Sequence, residues 1–434
     1  MPADVTTDSA SEVSVQTTPD AAPRPPLPTV RAFPAHLVHQ RWAETVVCPM
    51  HDALSPTRRA QILAENPMSY LQVTRSSLDL PDAGVDEIGA ANAAGLQHLL
   101  DEGAYSQLQP PAMYVYRVHL GTEEHTGLVA DVDAAAFVDG RVLGHEAVHQ
   151  EKVDALVRHF ESVPMRSELV TLIHRSDDDV EAIVAATTRR EPVLSFVDTT
   201  GVEQILWRVA DDDVPVVMDH LQDRRLYIAD GHHRVAATVQ RWRDHGSPRG
   251  GEVLCVIYAE SQVHLLAFHR VVRPTGGPVD VEAVLAALRE HVAVEAVDGP
   301  VREVGVVGLR AGGSWYALTL PEPDAATQAS ATAQLDVSRL DAAILAPALG
   351  LRSGDDEVGY LSELADLDDV VADVDAEGSL LFLLCAPTLD QLVEVAERGE
   401  VMPQKSTYIE PKPRAGVVLR PRLGPVHPED LPTP

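Results

Sequence analysis

Short apolar runs bounded by turn residues recur along the chain and predict strands at 68–74, 113–120, 168–174, 193–198, 204–209 and 252–259. Between them, apolar positions spaced at the helical period predict helices near 145–162, 179–189 and 280–292. Ser55-Pro56 opens another helix in the favoured order, a capping side chain and then proline in the first turn, and Asn66-Pro67 ends it. Leu226 to Ala229 forms a further β-prone run that stops at Asp230-Gly231. Val235, Thr238, Val239 and Trp242 then recur on one side of a helix. No βαβ rhythm or internal repeat emerges, so the fold class expected is α+β, with one mixed domain over 29–275.

Pro274-Thr275-Gly276-Gly277-Pro278 marks the expected boundary. Beyond it, strands near 304–309 and 314–320 and helices near 338–349 and 388–398 make a smaller α/β part over 276–420. The segment from Lys405 to Gly416 is expected to run extended and fold back onto the main domain. Residues 1–28 are Ser, Thr, Ala, Pro and Asp-rich, with too little apolar surface to fold, and 421–434 form a second tail.

Charge narrows the partners. With 34 basic against 66 acidic residues the net charge is −32, a field that repels nucleic acid and anionic membranes. Any phosphate site must therefore be built locally. No apolar run is long enough to span a membrane, and the first residues lack a secretory pattern. Cys48, Cys255 and Cys385 are odd in number and far apart, which argues against a disulfide framework or a cysteine zinc site. A reducing cytoplasm is the expected compartment. Lys152, Lys405 and Lys412 are the only lysines among the 34 basic residues, and a compact ammonium is not interchangeable with guanidinium.

The chemistry concentrates at Asp230-Gly231-His232-His233-Arg234. Strand, glycine turn and helix start together offer free N–H groups and the positive end of a helix dipole. Gly231 admits a phosphate close to the backbone, Arg234 offers a planar charged fork, and His232 and His233 exchange protons near neutrality. The plainer reading is a solvated turn whose aspartate caps the next helix. A rival motif is His145-Glu146-Ala147-Val148-His149, a formal H-E-x-x-H. On a helix it would set two zinc ligands on one face with Glu146 as base, making a zinc hydrolase with Asp154, His159 or Glu168 as third ligand. A solvated histidine-bearing helix fits the same residues.

Several blocks together resemble the bacterial family called domain of unknown function 1015, which in turn resembles the ParB/sulfiredoxin superfamily with its free serine kinases. They are Cys48-Pro49-Met50-His51-Asp52, Asn66-Pro67-Met68-Ser69-Tyr70-Leu71, Gly144-His145-Glu146 with Lys152 and Asp154, the Asp230 to Arg234 turn, and Met402-Pro403-Gln404-Lys405-Ser406-Thr407-Tyr408 through Pro411-Lys412-Pro413 to Gly416. The resemblance covers residues 30 to 420. His51 stands where the family carries tyrosine, Ala147 where it carries threonine, and Ala155 where it carries arginine.

The resemblance implies a mixed-sheet ParB/sulfiredoxin-like core and a nucleotide-dependent phosphotransferase. ATP or ADP with Mg²⁺ would serve a small hydroxyl-bearing metabolite, free serine first. Asp52, His145, Glu146, Asp230, His232 and His233 are the implied catalytic residues, with Asp230, Asp52 or Glu146 orienting the metal or accepting the hydroxyl proton. Gly231, His232, His233, Arg234 and Lys405 would hold the nucleotide. The departures at His51 and Ala155 favour the alternative, a non-catalytic nucleotide- or metabolite-sensing protein. In either case His51-Asp52, His145-Glu146, Asp230 to Arg234 and Lys405 are expected to converge on one cleft.

Overall fold

Val253 to Ala259 is an unbroken apolar run, and a strand can carry such a run only when both of its faces are covered. In the computed structural model, which describes residues 28–50, 53–245, 251–273 and 277–422, this run lies in the interior of the main sheet. Its side chains alternate between two cores. Leu254, Val256 and Tyr258 enter one, with Tyr70, Leu96 and Leu99. Val253, Cys255 and Ile257 enter the other, with Val180, Val217 and Val235.

Nine strands form this sheet among the described residues. The main ones are β1 (Tyr114–Leu120), β2 (Glu123–Asp133), β3 (Val142–Leu143), β4 (Val170–His174), β5 (Leu194–Val197), β6 (Glu203–Arg208), β7 (Leu226–Asp230) and β8 (Glu252–Ala259), in the order β5-β6-β1-β2-β8-β4-β7-β3. The β8–β4 and β7–β3 pairs are parallel and the other neighbours antiparallel, so the sheet is mixed. A second, antiparallel sheet is built around β9 (His264–Val272), which continues the chain directly after β8. The α+β class is thus what the chain adopts.

The expected helix after Ser55 runs Pro56–Glu65, with the Ser55 hydroxyl accepting from the Arg58 N–H and Asn66 as its last cap. Two expectations are corrected. Residues 68–74 are not a strand: Tyr70–Val73 form a 3₁₀ turn, because the Ser69 hydroxyl accepts from the Leu71 N–H and closes the backbone locally. The helix placed near 145–162 begins only at Gln150 (α1, Gln150–Ser162), and residues 145–149 are not helical. The 338–349 helix exists in two forms, α-helical over Asp336–Leu340 and π-helical over Asp341–Leu349, where Pro347 removes a backbone donor.

The late part of the chain pairs back with early elements. Thr407–Glu410 (β10) pairs with β9, Arg414–Ala415 (β11) with Cys48–Pro49, and Val418–Pro421 (β12) with both Phe33–Leu37 and Met165–Arg166. No helix among the described residues is long and apolar enough to cross a membrane.

Candidate functional site

The run Leu226 to Ala229 is buried and ends β7 at Asp230. Gly231 then turns the chain with φ +101°, a conformation that side chains bearing a Cβ rarely adopt, and α2 (His232–His245) begins immediately. A Cβ at Gly231 would also sit 3.0 Å from the Arg234 guanidinium, which folds back over the turn. The strand–turn–helix expected from sequence is therefore present, and the glycine is needed twice over.

Asp230 stands between two cations. One carboxylate oxygen accepts from Arg234 and the other from Lys412 Nζ, each at 2.5 Å, while a second Arg234 nitrogen donates to the Leu169 carbonyl. Burial works to raise the Asp230 carboxyl, but Lys412 and Arg234 outweigh it and hold it well below the usual carboxylate range. In the sequence Lys412 stands out as one of three lysines and within the Pro411-Lys412-Pro413 block, but nothing there joins it to Asp230.

Beside this cluster the four histidines pair across two segments. His232 Nε2 accepts from the His145 backbone N–H at 3.2 Å, so its proton must reside on Nδ1, which lies 3.3 Å from Glu146 Oε2 without a well-aligned hydrogen bond. His233 Nε2 likewise accepts from the His149 N–H at 3.1 Å. The His145 ring meets His232 edge-on at 4.6 Å, and His149 stacks nearly parallel on His233 at 5.9 Å. His145 is buried, and its Nδ1 has no hydrogen-bond partner. Burial and the neighbouring His232 push its pKa down to about 3, so the ring is neutral at physiological pH. Burial alone would raise the Glu146 carboxyl, but contact with His232 and the nearby His233 bring it below its ordinary value. Burial also lowers His233. The product is an ionised carboxylate, 43% exposed, backed by a histidine of fixed tautomer.

This arrangement overturns the zinc-protease reading. The segment from His145 to His149 is not helical, so the two imidazoles do not share a helix face. Backbone bonds to rings 84 and 87 residues away hold the segment out of a helix, as does the pairing of Glu146 with Met402. Lys405 lies near the cluster in sequence but its ammonium caps the Phe268 ring at 5.1 Å, whereas Lys412 caps Tyr408 and reaches Asp230. Gln404 contacts the His149 ring at 2.8 Å. His51 and Asp52 lie outside the described residues. A cavity of about 300 Å³ lined by Arg117, His174, Glu181 and Gln262 includes no residue of this cluster.

The sequence of residues 30–342 matches a family described as protein of unknown function (DUF1015). The chain belongs to that family. The DUF1015 match takes in His145, Glu146 and the whole Asp230 to Arg234 turn and stops short of Lys412. No curated protein matches the chain. Among solved structures, a free serine kinase variant in complex with ADP is 15% identical with a TM-score of 0.34, over 65% of this chain and 87% of that one. A C-terminally truncated SbnI from Staphylococcus aureus is 13% identical with a TM-score of 0.37, over 68% and 87%. A conserved hypothetical protein from Pyrococcus furiosus is 15% identical with a TM-score of 0.33, over 68% and 95%.

Proposed function

We propose that this DUF1015 chain binds a nucleotide at the Gly231 turn and transfers a phosphoryl group to a small hydroxyl-bearing metabolite, with free serine the first substrate to test. A ParB/sulfiredoxin-like layout of the main sheet is part of the same proposal. The observation that carries it is local: Arg234 and Lys412 flank one carboxylate at the start of a long helix, next to the Glu146–His232 pair. Free N–H groups and two cations suit phosphate oxygens, and an ionised, half-exposed Glu146 suits a hydroxyl proton. When bound, Mg²⁺ with ATP or ADP would supply charge neutralisation and the transferable phosphoryl group, and Asp230 is the carboxylate placed to hold a cation. On transfer the hydroxyl oxygen gains the phosphoryl group, its proton passes to Glu146, and the nucleotide leaves one phosphate shorter. His232, held by the His145 N–H, keeps Glu146 oriented.

One observation favours the second reading, a nucleotide- or metabolite-binding protein without turnover. Among the described residues of the cluster, Asp230 and Glu146 are already matched with Arg234, Lys412 and His232.

Thermal shift with ADP, ATP and AMP, with and without Mg²⁺, tests the site. Arg234→Ala should weaken nucleotide binding by one to two decades, the equivalent of about 1.5–3 kcal/mol for a charge-assisted contact. Parent protein that binds none of them, or a variant that binds as well as the parent, sinks the reading. Phosphate transfer to serine, followed by mass spectrometry, separates the enzyme from the sensor.

A further inference from the structure

At the start of β2, His125 is buried while its sequence neighbours Glu123 and Glu124 are exposed. Its Nδ1 lies 2.9 Å from the Gln262 carbonyl oxygen. A carbonyl can only accept, so Nδ1 carries a proton, and in the neutral ring Nε2 presents a bare lone pair. That Nε2 is buried and has no hydrogen-bond partner. Gln262 is itself held in place, because its side-chain oxygen accepts from the Thr126 N–H at 2.8 Å.

Two further donors face the same point. Glu123 Oε2 lies 3.7 Å from His125 Nε2 and 3.3 Å from His264 Nε2, and all three ligand atoms lie within 4.8 Å of one another. The two imidazoles meet edge-on at 5.1 Å. A tetrahedral site with bonds of about 2.0–2.1 Å has ligand–ligand edges of about 3.3–3.4 Å, close to the two glutamate–histidine separations. Glu410 is the cross-strand partner of His264 in the β9–β10 ladder and lies within electrostatic range of both histidines.

We propose that Glu123, His125 and His264 bind a divalent transition metal, Zn²⁺ by the nature of the donors, with Glu410 or water completing the coordination. Two imidazoles and a carboxylate with one position toward solvent are a donor set suited to zinc. The Gln262 carbonyl plays the outer partner that fixes a ligating histidine's tautomer and direction. The metal would join three separate elements: the start of β2, the start of β9 and the end of β10. The Asp177, Asp179 and His220 cluster makes a useful contrast, since Arg224 already donates to Asp177 at 2.8 Å and supplies the positive charge there.

The test is zinc titration of full-length protein after treatment with a chelator, read by calorimetry and elemental analysis. One Zn²⁺ per chain is expected. His264→Ala and Glu123→Gln change exposed side chains and leave the fold intact by circular dichroism. Each should weaken zinc binding by more than the about 10–100-fold that losing an outer partner costs. Zinc should also raise the thermal midpoint of the parent and not of His264→Ala. The proposal is overturned by a parent that binds no stoichiometric zinc at micromolar concentration, by binding that survives both substitutions, or by binding that is lost in His149→Ala and kept in His264→Ala.

Discussion

Arg420 is 2% exposed, yet it carries a permanent charge. The structure spends two carboxylates on it: Asp131 accepts through both oxygens at 2.8–3.0 Å and Glu252 at 3.0 Å. Replacing such a pair wholesale with apolar groups can be neutral, whereas removing one partner strands the other. Arg420→Met should therefore cost about 3–5 kcal/mol in chemical denaturation at neutral pH. The pH dependence has a definite sign. Burial, outweighing Arg420, already raises the Asp131 carboxyl. A carboxyl raised in the folded state is stabilising below its unfolded value, and that contribution is lost as pH rises through the folded value. Without Arg420 the folded value rises further, so the penalty should shrink on acidification through the carboxylate range. A penalty independent of pH would show that packing, not charge, is what Arg420 supplies.

At the scale of elements, the β7–Gly231–α2 connection sets the site, and its geometry allows little substitution. Gly231→Ala should destabilise the protein by about 1–3 kcal/mol, the cost of a residue held in a sparsely populated backbone region. It should also displace the Arg234 guanidinium, which already lies 3.0 Å from the new Cβ position, and so weaken nucleotide binding in the same thermal-shift assay. Unchanged stability with unchanged binding would mean the turn is not under the constraint described.

This connection was legible because its signals are local: an apolar run, a glycine and a helical period. The Pro56–Glu65 helix was legible for the same reason, through its cap and proline. The helix Val85–Asp101 was not. Gly84 precedes it in place of a capping side chain, and Gly89 and Gly95 interrupt it. Gly95 is there because the Gln72 backbone comes within 2.4 Å of where a Cβ would lie, a contact between elements that no local pattern announces. The segment from His145 to His149 misled in the opposite direction. Its residue types fit a helix and a zinc motif, but His232, His233 and Met402 claim its backbone from a distance. Candidate residues could thus be picked out one by one in the sequence, while Lys412's pairing with Asp230, 182 residues away, could not.

At the scale of the whole molecule, the segment from β10 to β12 behaves as a closing seam. Lys412 reaches Asp230, Arg414 reaches Asp198 and Arg420 reaches Asp131, and the Gly416 carbonyl and N–H are taken by Tyr105 and Ser167. Removing residues from Gln404 onward would take Arg420 from Asp131 and Arg414 from Asp198, leave Asp230 with Arg234 alone, and expose the edges that β10, β11 and β12 cover. The truncated chain should lose its single cooperative thermal transition and bind a hydrophobic dye at room temperature. A sharp, parent-like transition in that chain would show the seam to be dispensable.

The order of synthesis gives this seam a further meaning. Asp131 and Asp198 leave the ribosome 289 and 216 positions before Arg420 and Arg414, and Asp230, which Arg234 meets at once, leaves 182 positions before Lys412. Until Arg414 and Arg420 are made, burying Asp198 and Asp131 lacks these partners and costs free energy. A chain stopped before Gln404 therefore lacks the arginines that pair with Asp131 and Asp198 and the lysine that reaches Asp230.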